Sequence, residues 1–429
     1  MSGWKDNLEK KLTEGRLPLP LWLQRLFLKT PAARKKIREE QGQALGVLEK
    51  KLKPYREEMP SYTELPRESL PREDILSSLA RMKEREEPVW REGFVSGAVY
   101  QGDSEHTDFL NRVYSMYSQA NPLHPDVWPS LAKIEAEIVS MTAGLLRSSA
   151  PGESSPCGTV TSGGTESILL AIKTYRDWAR AERGISSPRL VVPVTAHVAF
   201  EKAAHYFGLE LVRIPVDGDY RADVDAARNA LTRDTVALVG SAPGFPHGII
   251  DPIETLSELA REHRIGFHTD ACLGGFVLPF ARQLGYPVPP FDFSLPGVTS
   301  ISADTHKFGY ASKGTSVLLF RDPEMRRHQY FTTTEWPGGM YASPTLAGSR
   351  PGGLSAACWA SLLAYGEQGY LEATRAILET GDFIKREVAE IPDVRVLGVP
   401  LWVLAFGSET LDIFQVLDHL NRKGWNLNA

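Results

Sequence analysis

From residue 130 onward the chain alternates short apolar runs with longer stretches of helical spacing. The apolar runs lie at 158–161, 189–194, 210–215, 236–240, 266–270, 300–303 and 315–320, and they read as strands. Between them, 166–183, 199–207, 224–231 and 253–263 place their apolar residues on one helical face. A further helix is expected at 131–146, with Ser130 as its N-cap and Ile134, Ile138 and Met141 in helical register. Short strands alternating with helices predict an α/β fold around a large, mostly parallel sheet.

Outside this stretch the pattern changes. Residues 1–60 read as charged helix ending near Pro54 and Pro60, and 72–87 as a surface helix. Residues 93–129 mix glycine, proline and asparagine with aromatics, which predicts packed, non-repetitive loops of the kind that line a site. After Arg321 come a Gly/Pro-rich loop (336–353), helices near 356–365 and 372–391, and then strands, the start of a smaller C-terminal α/β domain. The expected organisation is an N-terminal helical and extended segment (1–115) contributing to a dimer and to the site, a large domain (116–325) and a small domain (326–429).

Composition narrows the function. With 48 Lys+Arg against 53 Asp+Glu among 429 residues, the chain lacks the basic excess of a general nucleic-acid binder. Its three cysteines, Cys157, Cys272 and Cys358, form no CxxC pair. That spacing suggests neither a zinc site nor a disulfide framework, and no metal is expected. A reducing, cytoplasmic setting follows, with action in its own cell or in a host left open. The apolar stretch 17–28 is too short to span a bilayer. With the basic run Arg34-Lys35-Lys36 behind it, it reads as an amphipathic helix on the body or on a second subunit, the alternative being a peripheral membrane contact.

Candidate chemistry concentrates at strand ends. Lys307, in Ala303-Asp304-Thr305-His306-Lys307 after an apolar strand, is a candidate Schiff-base amine. That chemistry needs a lowered pKa, which burial beside other cations would supply. Ser162-Gly163-Gly164-Thr165 joins a strand to a helix start and suits a phosphate, because backbone N–H groups there point at the anion. Asp270 ends another strand, where a carboxylate could keep a pyridine nitrogen protonated, and His197 ends a third, where an imidazole could stack on a flat ring. Each feature alone has a plainer reading as a cap, a turn or a solvated side chain. All four together, in the order glycine turn, histidine, aspartate, lysine, are far more specific.

These features, with KIEAEIV (133–139), VTSGGTESIL (160–169), FPHGIIDP (245–252), DACLGGF (270–276), GVTSISADTHKFGYASKGTS (297–316), YASPTLAGSRPGG (341–353) and GWNLN (424–428), resemble the group II pyridoxal-phosphate-dependent decarboxylase family. The family has the aspartate-aminotransferase fold, fold type I. Within it the chain is similar to the branch that cleaves phosphorylated long-chain bases such as sphingosine 1-phosphate. The resemblance implies pyridoxal 5'-phosphate on Lys307, with Asp270 at the ring nitrogen and His197 on the ring face. It places Ser162, Gly163, Gly164, Thr165 and His306 at the cofactor phosphate, with Ser349 reaching it from the second subunit of a homodimer. It places the substrate phosphate at Tyr100, Asn121, His124 and Lys313.

The implied reaction is a retro-aldol cleavage of the C2–C3 bond to a fatty aldehyde and phosphoethanolamine. The general base stays open among Lys307, His306, a pocket tyrosine and the cofactor phosphate. The rivals are an amino-acid decarboxylase on the same scaffold and a non-catalytic lipid-phosphate binder. The chain departs from the family in two ways: it shows no membrane-spanning N-terminal segment like that of animal and yeast members, so a soluble bacterial-type member is expected, and the family's small domain continues past the 424–428 motif, so 326–429 is expected to be incomplete.

Overall fold

The computed structural model describes residues 53–56, 58–146 and 155–428. The expectations for 17–28 and 34–36 lie outside the described residues. The chain divides into two compact units, Met1–Arg85 and Glu86–Ala429, with the boundary inside helix α1 (Arg72–Arg91). In the first, the Tyr55 hydroxyl donates to the Met82 carbonyl at 3.4 Å, and Arg85 pairs with Glu58.

The second unit is built on seven strands: β1 (Cys157–Thr161), β2 (Arg189–Pro193), β3 (Glu210–Ile214), β4 (Thr235–Ser241), β5 (Gly266–Asp270), β6 (Ser300–Ala303) and β7 (Ser316–Phe320). Their order is β1-β7-β6-β5-β4-β2-β3. The ladders from β3 through β6 are parallel, and β7 runs antiparallel to both β6 and β1. This is the predicted α/β architecture. Strand β4 is buried along its whole length, as a near-continuous apolar run in a two-sided sheet requires.

Helices cover both faces because side chains alternate along each strand. Val191, Leu238, Ile301 and Leu319 share one core with Ile134 and Ile138 of α3 (Pro129–Leu145). Leu190, Val192, Val239 and Leu318 share the other with Ile168 and Tyr175 of α4 (Gly164–Arg183) and Phe200 of α5 (Ala199–Phe207). The remaining helices of the large sheet are α6 (Val224–Ala230), α7 (Ile253–Glu262) and α8 (Leu278–Gln283).

Four details differ from expectation. The loop-rich segment contains a helix, α2 (Ser104–Met116), opened by an Asp103 carboxylate that accepts from Glu105 N–H at 2.9 Å. Helix α3 starts two residues earlier than read, with Trp128 at the cap position and Pro129 in the first turn, so Ser130 is not its cap. After the short helix α9 (Pro323–Arg326), the Gly/Pro-rich region carries a small hairpin of β8 (Phe331–Thr333) and β9 (Tyr341–Ser343). The two helices expected at 356–365 and 372–391 form one run, α10 (Gly352–Ala389), kinked at Gly366, whose φ of 57° is readily open to glycine. A two-stranded ladder of β10 (Arg395–Val396) and β11 (Phe406–Gly407) and helix α11 (Ile413–Arg422) follow.

Candidate active site

The carboxyl ends of β1, β2, β5 and β6 hold the polar residues singled out from the sequence, at the edge where ligands of parallel sheets bind. After β6 the chain turns through Asp304–Tyr310, closed by Lys307 N–H to Asp304 C=O at 3.3 Å and Tyr310 N–H to Lys307 C=O at 3.0 Å. Helix α10 braces this turn: the Tyr370 and Ser361 hydroxyls both donate to Gly309 C=O, at 2.8 and 3.3 Å. Lys307 Nζ then lies 2.9 Å from Asp304 Oδ2, with side-chain exposures of 22% and 2%.

This pair reverses the expected titration of Lys307. Burial works against its charge, but the facing acidic groups, with Asp304 in direct contact, outweigh burial and hold its pKa above the ordinary lysine value. Burial pushes the Cys272 thiol well up, so it faces Lys307 as a neutral group. Sequence reasoning passed over Asp304, although its position three residues before Lys307 was a usable signal.

Asp270 owes its placement to strand register. β5 and β6 pair His268 with Ser300 and Asp270 with Ser302. The Ser302 hydroxyl donates to Asp270 Oδ1 at 3.3 Å, and Cys272 N–H donates to the same oxygen at 3.1 Å. Behind them the His268 ring bonds Ser300 at 2.7 Å and Ser302 at 3.1 Å, and Ser300 meets the Tyr175 hydroxyl at 2.5 Å. Burial holds His268 at a pKa of about 4, with Asp270 opposing that shift.

A pH dependence follows. Between about pH 6.5 and 4 the unfolded chain protonates this histidine while the folded chain does not, so its contribution is whole above 6.5 and is lost on acidification. The loss amounts to about 3 kcal/mol. Asp251, raised by burial to about 6, acts in the opposite sense and gains stability on acidification. Urea unfolding from pH 7 to 4 should therefore show a weaker acid loss in His268→Gln than in the unaltered chain; identical pH slopes would contradict it.

The glycine turn sits against this cluster. Gly163 has φ 152°, which favours glycine, and a Cβ on Gly164 would stand 2.7 and 2.8 Å from the Asp304 oxygens and 2.8 Å from Cys272 Sγ. The side chains of Ser162 and Thr165 face out at the start of α4, and Glu166 ties the turn down by accepting Ser162 N–H at 2.7 Å and Leu346 N–H at 2.9 Å. His306 packs beside Gly163, and its Nδ1 is buried with no hydrogen-bond partner. His197 is exposed at the end of β2, its Nδ1 accepting Ala199 N–H at 3.2 Å. These observations fit pyridoxal phosphate: a glycine-lined helix start for its phosphate, an orphaned imidazole nitrogen beside it, an amine, and a carboxylate braced by neutral donors.

The residues expected around the substrate phosphate fall into two groups. Lys313 Nζ stands 4.5 Å over the Tyr100 ring, and both line a cavity of about 250 Å³ with His106 and His306. Asn121 Nδ2 donates to Ser349 Oγ at 3.0 Å, and His124 is exposed nearby in sequence, its ring 6.4 Å from that of Trp128. Among the described residues no hydrogen bond joins the two groups. Tyr100 also borders a larger, mostly apolar cavity of about 680 Å³ with Phe308 and Trp402. Among the described residues no helix is long and apolar enough to cross a membrane, and no acidic, histidine or cysteine cluster is arranged for a metal.

The pyridoxal-dependent decarboxylase conserved domain matches residues 115–398. Sphingosine-1-phosphate lyase of Arabidopsis thaliana is 52% identical over 361 residues, which cover 83% of this chain and 66% of the plant protein. Sphingosine-1-phosphate lyase 1 of Rattus norvegicus is 46% identical over 419 residues, 96% of this chain and 73% of the rat protein. The solved sphingosine-1-phosphate lyase of Burkholderia pseudomallei superposes with a TM-score of 0.85 at 49% identity, covering 87% of each chain. Glutamate decarboxylase of Lactobacillus brevis, at 21% identity and a TM-score of 0.73 over 86% of each chain, shares the fold. Fold and site thus define a pyridoxal-dependent enzyme of the decarboxylase family. Within that family the chain belongs to the sphingosine-1-phosphate lyases.

Proposed function

We propose that this chain cleaves the C2–C3 bond of sphingosine 1-phosphate and related phosphorylated long-chain bases, releasing a fatty aldehyde and phosphoethanolamine. One observation carries the reading: Lys313 and Tyr100 stand together in a cavity that reaches His306, next to Lys307 in the chain. A decarboxylase needs a cation for an α-carboxylate, whereas this second cation suits a phosphate on the far end of a head group. Pyridoxal phosphate, when bound, supplies the electron sink for the bond that breaks.

The chain's own residues do the rest. Lys307 holds the cofactor, Asp270 keeps its ring nitrogen protonated, and His197 covers the ring. Ser162, Gly163, Gly164, Thr165 and His306 bind its phosphate. Tyr100, Lys313, Asn121 and His124 bind the substrate phosphate. A homodimer is part of this reading, with Ser349 serving the second subunit's cofactor; its hydroxyl accepts from Asn121 Nδ2 at 3.0 Å. The cysteines are all free thiols, which suits the cytoplasm.

Product analysis with sphingosine 1-phosphate tests the reaction: fatty aldehyde is expected, and carbon dioxide from amino acids without aldehyde would refute it. Lys313→Ala should raise KM for the phosphorylated base about tenfold to a hundredfold, the range of a lost charge-assisted contact. The cofactor absorption band should stay intact. Collapse of the band would place Lys313 in the cofactor site or the fold instead.

A further inference from the structure

We infer that Asp304 is a positioning residue that holds the proton of Lys307 Nζ, and so makes this amine the single proton carrier of the cleavage. The geometry is that of an ion pair whose carboxylate is buried. Asp304 Oδ2 meets Lys307 Nζ at 2.9 Å and His306 Nε2 at 3.8 Å, while Oδ1 is buried with no hydrogen-bond partner. Neither oxygen caps a backbone N–H in the way the Asp103 and Asp412 carboxylates do. The glycine at 164 lets the start of α4 close over both oxygens, where any Cβ would intrude. A carboxylate buried in this way depends on its cation, because removing one partner of such a pair leaves an uncompensated charge.

The role rests on the proposed function, and its proton balance closes. Breaking the C2–C3 bond takes one proton from the C3 hydroxyl, whose oxygen becomes the aldehyde carbonyl. The C2–C3 electron pair stays with C2, which takes up one proton. One proton leaves and one arrives, so Lys307, provided that it enters the step as the neutral amine, can carry it from oxygen to carbon, with the Asp304 carboxylate steadying the ammonium in between. The other groups facing Lys307 are Asp270 and Cys272 from the end of β5, Tyr100, and His306 and Lys313 from its own turn. Among them Asp304 alone is within ion-pair distance of Nζ.

Competitive acetylation of the full chain, freed of cofactor with hydroxylamine, tests this without reference to turnover. Acetic anhydride is applied in trace amounts from pH 7 to 11, and Lys307 and Lys313 are followed by peptide mass spectrometry in the same digest. In the unaltered chain Lys307 should reach half-labelling at higher pH than Lys313. In Asp304→Asn its midpoint should fall by about one pH unit or more with Lys313 unmoved, and Asp304→Glu should keep the original order. Lys307 labelling ahead of Lys313 in the unaltered chain, or an unmoved midpoint in folded Asp304→Asn, overturns the inference. Should the Asn variant fail to fold, seen as one common midpoint for all lysines, the order in the unaltered chain decides. Failure of the functional reading is a separate result, the absence of fatty aldehyde from the unaltered enzyme.

Discussion

Lys307→Ala is expected to abolish cleavage, by on the order of 10⁴-fold or more, the scale on which loss of a covalent catalytic group is felt. The visible absorption band of lysine-bound cofactor should disappear with it. Borohydride reduction of the unaltered enzyme should leave pyridoxyl label on the peptide containing residue 307 and nowhere else; label on another lysine would end the proposal. The same substitution has a structural cost, since it strands the Asp304 carboxylate, 2% exposed, without its cation. Breaking a buried pair from one side costs about 3–5 kcal/mol. Removing both charges, as in Lys307→Met with Asp304→Asn, should return much of that stability without returning activity. Urea unfolding of the three proteins separates the two effects: stability follows the pair, and turnover follows the amine.

Asp270→Asn should lower kcat about 10²- to 10³-fold while the protein retains cofactor, the range seen when one preorganised electrostatic contact is lost. The substitution is nearly isosteric, and an amide oxygen can still accept from Cys272 N–H and the Ser302 hydroxyl, which hold the carboxylate now. What it removes is the negative charge that, in the proposed role, would keep a pyridine nitrogen protonated. Binding of the phosphorylated base should therefore change little and KM should stay near its original value. Unchanged kcat in a variant that retains cofactor would remove Asp270 from this role.

Much of the large domain was legible because its determinants are local. The seven strands are short runs closed by turns, and β4, buried along its whole length, shows it most plainly. The glycine turn, Asp270, His197 and Lys307 were legible as strand-end residues for the same reason. Helix α2 was hidden because its 13 residues include only one buried side chain, Leu110, among the turn-forming residues around it. Asp304 was hidden because no pattern in one strand reveals that a helix start from another part of the sheet will close over its oxygens. The titration of Lys307 was misjudged for the same reason, since the sign of a pKa shift depends on which charges lie within a few ångströms.

By itself, the sequence determined the alternation of strands and helices, the chemistry available at each strand end, and its family resemblance. These depend on side-chain periodicity and residue type, which act along the chain. Only the tertiary structure decided that His268 faces Ser300 and Asp270 faces Ser302, that Lys307 pairs with Asp304, and that Lys313 joins Tyr100 while Asn121 joins Ser349. Those partnerships bring together residues from different strands and loops, and strand register and close packing set them.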